Sequence, residues 1–170
     1  QALVRVSDAV DNTIKDQSNA VFTIYTPTIN VISPNGGEKW ISGTTKKIEW
    51  NSSNVANLKI ECSSDNGANW NLIANNISAS LNGYNWVVSQ EPSVNYLVRI
   101  TDAVDASVSD ISNNKFTVPS LKLFTPAGGE RWLVNTWQII NWTSVGVQNV
   151  VLRYRNSQMA INTWTRVSWV

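Results

Sequence analysis

Four oxygen-bearing side chains crowd one short stretch of this chain: Asp102, Asp105, Asp110 and Asn113. Calcium favours several hard oxygen ligands at close quarters, so a metal is the first chemistry to weigh here. The spacing matches no ligand loop, however, and Asp, Asn and Ser also build turns by bonding their own backbone. The turn reading is preferred and calcium is the second. On the turn reading, the stretch from Asp102 to Asn113 is ordered without metal, by Asx turns and its own strand pairing. Nine tryptophans in 170 residues are another source of chemistry, because a row of exposed aromatics can serve as a platform for sugars. The single cysteine, Cys62, sits in Leu58-Lys59-Ile60-Glu61-Cys62, where alternation places it beside Leu58 and Ile60 as a small buried hydrophobe.

Other chemistry is excluded or weak. The chain has no histidine, which removes the commonest general base, the commonest zinc ligand and every Ser-His or Cys-His arrangement. Glu49 and Glu61 stand beside Lys47 and Lys59 on outward strand positions, a pattern of surface charge pairing worth tenths of a kcal/mol. Glu38 and Glu130 belong to a repeated turn. No nucleophile elbow, phosphate loop or metal signature occurs. The expectation is a chain that is not an enzyme and carries no cofactor.

The elements that would position these residues emerge from an internal repeat. Ala2-Leu3-Val4-Arg5-Val6-Ser7-Asp8-Ala9-Val10-Asp11 returns as Tyr96-Leu97-Val98-Arg99-Ile100-Thr101-Asp102-Ala103-Val104-Asp105, 94 residues later. Asp16, Ser18, Asn19, Phe22 and Thr23 recur at the same offset as Asp110, Ser112, Asn113, Phe116 and Thr117. Ser33-Pro34-Asn35-Gly36-Gly37-Glu38-Lys39-Trp40 returns as Thr125-Pro126-Ala127-Gly128-Gly129-Glu130-Arg131-Trp132, 92 residues on, as does Ile48-Glu49-Trp50 at Ile140-Asn141-Trp142. A two-residue insertion between Tyr154 and Trp164, which align with Cys62 and Trp70, reconciles the offsets. The division expected is the tail of one module (1–26), a complete module (29–118) and the front of a third (121–170). Thr26-Pro27-Thr28 and Val118-Pro119-Ser120 are short, proline-stiffened linkers.

Within the central module, seven segments read as strands: 29–34, 46–50, 58–62, 70–73, 84–88, 96–100 and 115–118. Ser64-Asp65-Asn66-Gly67 is a hairpin signal and Asn35-Gly36-Gly37 a turn tolerant of positive φ. Helical periodicity is absent. The fold expected is all-β, a tandem of immunoglobulin-like or fibronectin-III-like sandwiches. Trp40, Trp50, Trp70 and Trp86 fall on inward phases or beside turns. Three recur at Trp132, Trp142 and Trp164, so Trp40, Trp50, Trp70, Trp86, Trp132 and Trp142 are assigned to cores. Trp137 and Trp169 have no counterpart, since Thr45 and Asn75 stand in their places. They are the candidates for exposed contacts.

Composition bounds the partners. Hydrophobic residues make up 42% and charged residues only 15%, below the usual quarter, with a net charge of +1 and no basic block. Nucleic-acid binding, which needs clustered Lys and Arg, is not expected. No apolar stretch approaches the length of a transmembrane helix. The neutral polar surface and the triplets Asn51-Ser52-Ser53, Asn76-Ile77-Ser78 and Asn141-Trp142-Thr143, which fit the glycosylation pattern, accord with an extracellular or cell-surface location.

Taken together, Ser-Pro-Asn-Gly-Gly-Glu-Lys-Trp from Ser33, Ile-Glu-Trp from Ile48, the Ser63–Trp70 hairpin, Tyr-Asn-Trp-Val-Val from Tyr84 and Leu-Val-Arg-Ile-Thr-Asp-Ala-Val-Asp from Leu97 resemble one bacterial extracellular repeat. It is related to the N-terminal domain of fungal Ser/Thr-rich, GPI-anchored cell-wall proteins of β-glucan assembly. The resemblance implies a sandwich fold strung in series within large secreted or surface proteins. It implies structural roles for Pro34, Gly36, Gly37, Trp40, Trp50, Trp70 and Trp86, and no catalytic residue. The third module departs by carrying Asn156-Ser157-Gln158-Met159-Ala160 in place of the Asp-Asn-Gly hairpin tip. A structural or adhesive rod is expected, with ancillary carbohydrate-binding or spacer modules of a secreted enzyme as the alternative. Its partners would be neighbouring modules, copies of itself, or cell-wall polysaccharide. The partial modules at the two ends suggest either a piece of a longer array or copies that complete each other head to tail into a filament.

Overall fold

The computed structural model describes residues 1–88, 91–156, 160 and 163–167, and apart from one turn of 3-10 helix at Ala79–Leu81 their regular structure is all β. At the start, β1 (Arg5–Ser7) pairs antiparallel with β2 (Lys15–Gln17). The central part has β3 (Thr28–Ser33), β4 (Thr45–Ser53), β5 (Asn57–Ser63), β6 (Asn71–Ser78), β7 (Gly83–Val87), β8 (Ser93–Asp102), β9 (Ser109–Ile111) and β10 (Phe116–Val118). β11 (Ser120–Thr125), β12 (Asn141–Val145), β13 (Arg153–Tyr154) and β14 (Thr165–Arg166) follow.

In the central part, β3-β4-β7 form one sheet and β10-β8-β5-β6 the other, with β9 added beside β8. This arrangement of several sheets is consistent with a β-sandwich. Alternation explains the faces: Ile48 and Trp50 of β4 are 0% and 1% exposed, whereas Lys47 and Glu49, at the alternate positions, pair with each other at the surface. Leu58, Ile60 and Cys62 from β5 and Val98 and Ile100 from β8 meet Val31 and Trp50 across the core. Trp40 lies against Phe116 at 5.1 Å and Trp86 at 6.1 Å, and Phe116 continues the aromatic chain to Tyr96 at 5.2 Å.

Three polar ties fasten the two sheets. The Asp110 carboxylate accepts the Val31 N–H at 2.7 Å, joining β9 to β3. The Ser112 hydroxyl donates to the Pro34 carbonyl at 2.7 Å and accepts the Val98 N–H at 3.0 Å. Residues 37–40 run parallel to the stretch ending in β10, through Gly37 N–H to Lys115 O, Thr117 N–H to Glu38 O and Trp40 N–H to Thr117 O, each at 2.9 Å. The Gly-Gly turn before this segment needs glycine at Gly36: φ is +130°, and a Cβ there would collide with the Asn114 side chain.

Different pieces of the central geometry reappear in the first and in the last part of the chain. Arg5, Val6 and Ser7 face Gln17, Asp16 and Lys15 in the register in which Arg99, Ile100 and Thr101 face Ile111, Asp110 and Ser109. Leu123 faces Trp142 as Val31 faces Trp50, and the ladder slips by a residue just beyond each pair. Arg153 and Tyr154 face Arg166 and Thr165 as Glu61 and Cys62 face Leu72 and Asn71. Glu130 accepts the N–H groups of Ala127 and Gly128 at 2.6 and 2.7 Å, repeating Glu38 with Asn35 and Gly36 at 2.7 and 2.8 Å. The joints repeat as well. Asn54 (φ +56°) donates to Thr26 O, and its counterpart Gly146 (φ +64°) lies so close to Thr117 that a Cβ would collide with it.

Candidate interaction face

The outer face of β5 and β8 holds the densest charged cluster among the described residues. Glu61 sits directly across from Arg99 in the antiparallel register. One carboxylate oxygen accepts both the Arg99 Nε–H at 3.0 Å and an Nη2–H at 2.8 Å, while Lys59 Nζ lies 3.2 Å from the other. The Glu61 side chain is only 11% exposed, so this is no loose surface pair. The reason is Trp70, whose ring covers the Arg99 guanidinium at 4.2 Å. Trp70 thus belongs to the outer face and is half-buried. It is absent from the core cluster to which its recurrence assigned it. It stands one residue before β6, opposite Ser63, where the strand phase directs it away from the interior.

The hairpin beneath Trp70 is self-bonded. The Ser63 hydroxyl donates to Asp65 at 2.7 Å and accepts the Gly67 N–H at 2.8 Å, while Asp65 accepts from both the backbone and the side chain of Asn69 at 2.9 and 2.7 Å. The Asn69 amide, its backbone N–H and the Ser63 hydroxyl hold the Asp65 carboxyl down at about 2. At Glu61 burial pushes the carboxyl up, but Arg99 and Lys59 outweigh it and leave the net shift downward from 4.5. A carboxyl depressed in the fold adds stability that is complete above its unfolded value and is lost as pH falls through the folded one. Wild-type stability should therefore decline as pH drops below 4.5, and Glu61→Gln should flatten that part of the profile. Chemical denaturation across pH checks this. An unchanged slope in the variant would remove Glu61 from the account.

The four candidate metal ligands do not converge. Asp102 accepts the Val104 N–H at 2.8 Å, and Asp105 accepts the Ser107 N–H at 2.9 Å and its hydroxyl at 2.6 Å. Asp110 is committed to Val31, and Asn113 gives its backbone N–H to the Asn35 side chain at 2.6 Å. The Ser107 bonds lower the Asp105 carboxyl from its ordinary value. Among the described residues no group of three acids, cysteines or histidines is placed to hold a metal. The earlier copy bonds alike, Asp8 to Val10 and Asp11, and Asp11 to Thr13. Calcium should leave the Tm unchanged, and Asp105→Asn, which keeps the accepting oxygen, should cost little. A calcium-dependent rise in Tm, abolished by that substitution, would make the loop a metal site.

The remaining candidates fall into two groups. Trp50, Trp40 and Trp86 are 1%, 7% and 9% exposed in the core. Cys62 is 7% exposed there, and burial pushes its thiol up to about 11, far from a reactive thiolate at neutral pH. In the last part of the chain Trp132 is 41% exposed and Trp142 half-buried. There the described residues supply no strands equivalent to β7, β8 and β10, which cover the central tryptophans. Both therefore depart from the fully enclosed core positions assigned to them. Trp137 is fully exposed, and Trp169 lies outside the described residues, as does most of the variant tip at 156–160. Among the described residues no helix is long and apolar enough to cross a membrane. Sequence reasoning treated Glu61 as an exposed charge and did not find Arg99. The signal available was the alternation Leu97-Val98-Arg99-Ile100, which puts one cation outward within an otherwise apolar stretch of four residues. No family model, curated protein or solved structure matches the chain.

Proposed function

We propose that this chain is a stretch of a non-catalytic structural or adhesive rod, built from immunoglobulin-like or fibronectin-III-like modules in series, in a secreted or cell-surface protein. The observation that carries the reading is that strand register in the first part, and register, turn and joint in the last part, each repeat their counterparts in the central part. Chemistry tends to be performed once per protein, whereas a spacer gains length by repetition. The carboxylates that recur are occupied in bonding backbone, which supports architecture over catalysis. A relationship to the bacterial repeat named above fits the same reading. At Pro119 a single residue separates β10 from β11, and both Pro27 and Pro119 lie beside the positive-φ position that follows β4 or β12, which favours modules held end to end.

Small-angle scattering of the full chain tests the rod. The expected profile is elongated, with a cross-section of one module, and a globule of radius of gyration about 15 Å would refute it. The second reading, carbohydrate-binding modules attached to a secreted enzyme, is favoured by Trp137, which is fully exposed where the central module has Thr45. Pull-down on insoluble cell-wall polysaccharide separates the two: retention lost in Trp137→Ala supports binding, and no retention supports the rod.

A further inference from the structure

Asn-Gly occurs three times in the chain, at Asn35-Gly36, Asn66-Gly67 and Asn82-Gly83. This dipeptide has a chemistry of its own. Glycine has no side chain to shield its amide nitrogen, so that nitrogen can reach the Cγ carbon of the preceding asparagine and close a five-membered ring. Ring closure asks for a glycine N–H not already committed as a donor. It also asks for freedom to turn the asparagine about ψ.

Two of the three copies fail the first condition. Gly36 donates its N–H to the Glu38 carboxylate at 2.8 Å, and the Asn35 side-chain oxygen is itself held by the Asn113 N–H at 2.6 Å. Gly67 donates to the buried Ser63 hydroxyl at 2.8 Å. Asn82-Gly83 differs. Val88 N–H bonds to Thr44 O, and bonded and non-bonded pairs alternate along an antiparallel ladder. The bonded pairs of β4 and β7 are therefore Lys46–Trp86 and Ile48–Tyr84, and Glu49–Gly83 is a non-bonded one. Gly83 N–H thus points away from β4, off the edge of β7, the last strand of its sheet. Tyr84 makes the first ladder bond, so Asn82 and Gly83 lie outside the bonded run. Asn82 is exposed and left-handed, with φ +51° and ψ +20°. Its N–H reaches Ala79 O at 3.3 Å, a long bond to hold that turn.

We propose that Asn82 is a site of spontaneous modification, where the Gly83 nitrogen attacks the Asn82 side-chain amide and converts it to aspartate and isoaspartate. The Gly83 N–H gives its proton to hydroxide, the bond from its nitrogen to Cγ forms, and the Cγ–Nδ2 bond breaks with ammonia as the leaving group. Water then opens the ring. Attack at Cγ leaves aspartate, and attack at the main-chain carbonyl leaves isoaspartate, whose backbone runs through the former side chain. Ammonia is exchanged for water, nothing is oxidised or reduced, and solvent is the only co-reactant. The place matters because Ala79 O, which accepts the Asn82 N–H, also accepts the Trp50 indole N–H. A carboxylate and an extra methylene in this turn therefore act on the tie that holds the core tryptophan.

Peptide mapping by mass spectrometry of the full chain, aged in mildly alkaline buffer, tests this. The Asn82 peptide should gain one mass unit about tenfold faster than the Asn35 and Asn66 peptides, each of which must first give up a hydrogen bond. Part of the product should be isoaspartate. In denaturant the three should convert alike, because only the fold separates them. Ser63→Ala frees Gly67 N–H and should raise the Asn66 rate to that of Asn82 while leaving Asn82 unchanged. Asn82→Gly suits left-handed backbone and has no side-chain amide, so it should keep its Tm on ageing while that of the wild type declines. Conversion of Asn82 no faster than that of Asn35 and Asn66 in the folded wild type would overturn the proposal. So would the same order of rates in denaturant, or an equal decline of Tm in wild type and Asn82→Gly.

Discussion

Trp50→Ala should lower stability by about 3–5 kcal/mol, the range for removing a fully enclosed aromatic side chain. The ring is 1% exposed on β4 at the centre of the core, and its indole N–H donates to the Ala79 carbonyl at 3.0 Å. Truncation would open a void between the sheets and leave that carbonyl, in the 3-10 turn joining β6 to β7, with only the Asn82 N–H at 3.3 Å. For a unit of this size such a loss shifts Tm by more than about 12 °C and approaches the whole folding free energy. Trp50→Phe separates the two contributions, since it retains most of the volume and loses only the hydrogen bond, worth about 1 kcal/mol. Thermal unfolding of both variants decides the matter. A shift of a few degrees for Trp50→Ala would mean that the core does not depend on this ring.

The next largest effect is expected at a hydroxyl. Ser112 is 5% exposed, and its Oγ joins Pro34 O to Val98 N–H, bridging the end of β3 and the middle of β8. Ser112→Ala changes almost no volume but leaves two buried backbone groups without their partner, which costs about 1–3 kcal/mol. Hydrogen exchange at the Val98 amide should accelerate well beyond that of Val31, whose N–H bonds to Asp110 instead. Ser112→Thr should restore part of the loss. If Ser112→Ala matched wild type in both Tm and exchange, water would have to satisfy those groups equally well. Ser18 accepts the Val4 N–H at 3.0 Å and donates to Val4 O at 3.2 Å, as Ser112 does with Val98 at 3.0 and 3.3 Å, so the part of the device on β8 recurs in the first part of the chain.

Much of this architecture is legible in the residues because local rules and repetition agree. The alternation at 46–50 and 58–62 corresponds to β4 and β5, and Asn66-Gly67 gives the positive-φ hairpin, at +63° and +88°. The count of seven strands omits β9. Ser109-Asp110-Ile111 is too short and too polar to show a period, and it exists because Val98–Thr101 of β8 offers an edge and Asp110 finds Val31. The misplacement of Trp70 has a similar origin. Phase along a strand tells which way a side chain points only once the strand's first residue is known, and β6 begins at Asn71. The Glu61–Arg99 pair spans 38 residues, and a single sequence carries no mark of which strand will lie beside which. Solvent exposure in the closing part followed a different logic, since Trp132 repeats Trp40 in type and spacing but not in surroundings.

The parallel run of residues 37–40 alongside β10 has a mechanical consequence. If the chain is stretched, tension enters the central part at Thr28 and leaves at Val118. β3 passes directly into the 37–40 segment and β10 ends at the joint, so the two stretches are drawn in opposite directions along their own length. Their three backbone bonds, Gly37 to Lys115, Glu38 to Thr117 and Trp40 to Thr117, lie across that pull and are sheared together. A hairpin opened from its end breaks one bond at a time. Here Trp40 packs on Phe116 just behind the bonds, so sliding must also drag an indole across the core. Resistance to extension is thus concentrated in a patch of a few residues, and a rod of such units would yield one unit at a time, lengthening in steps while the rest hold.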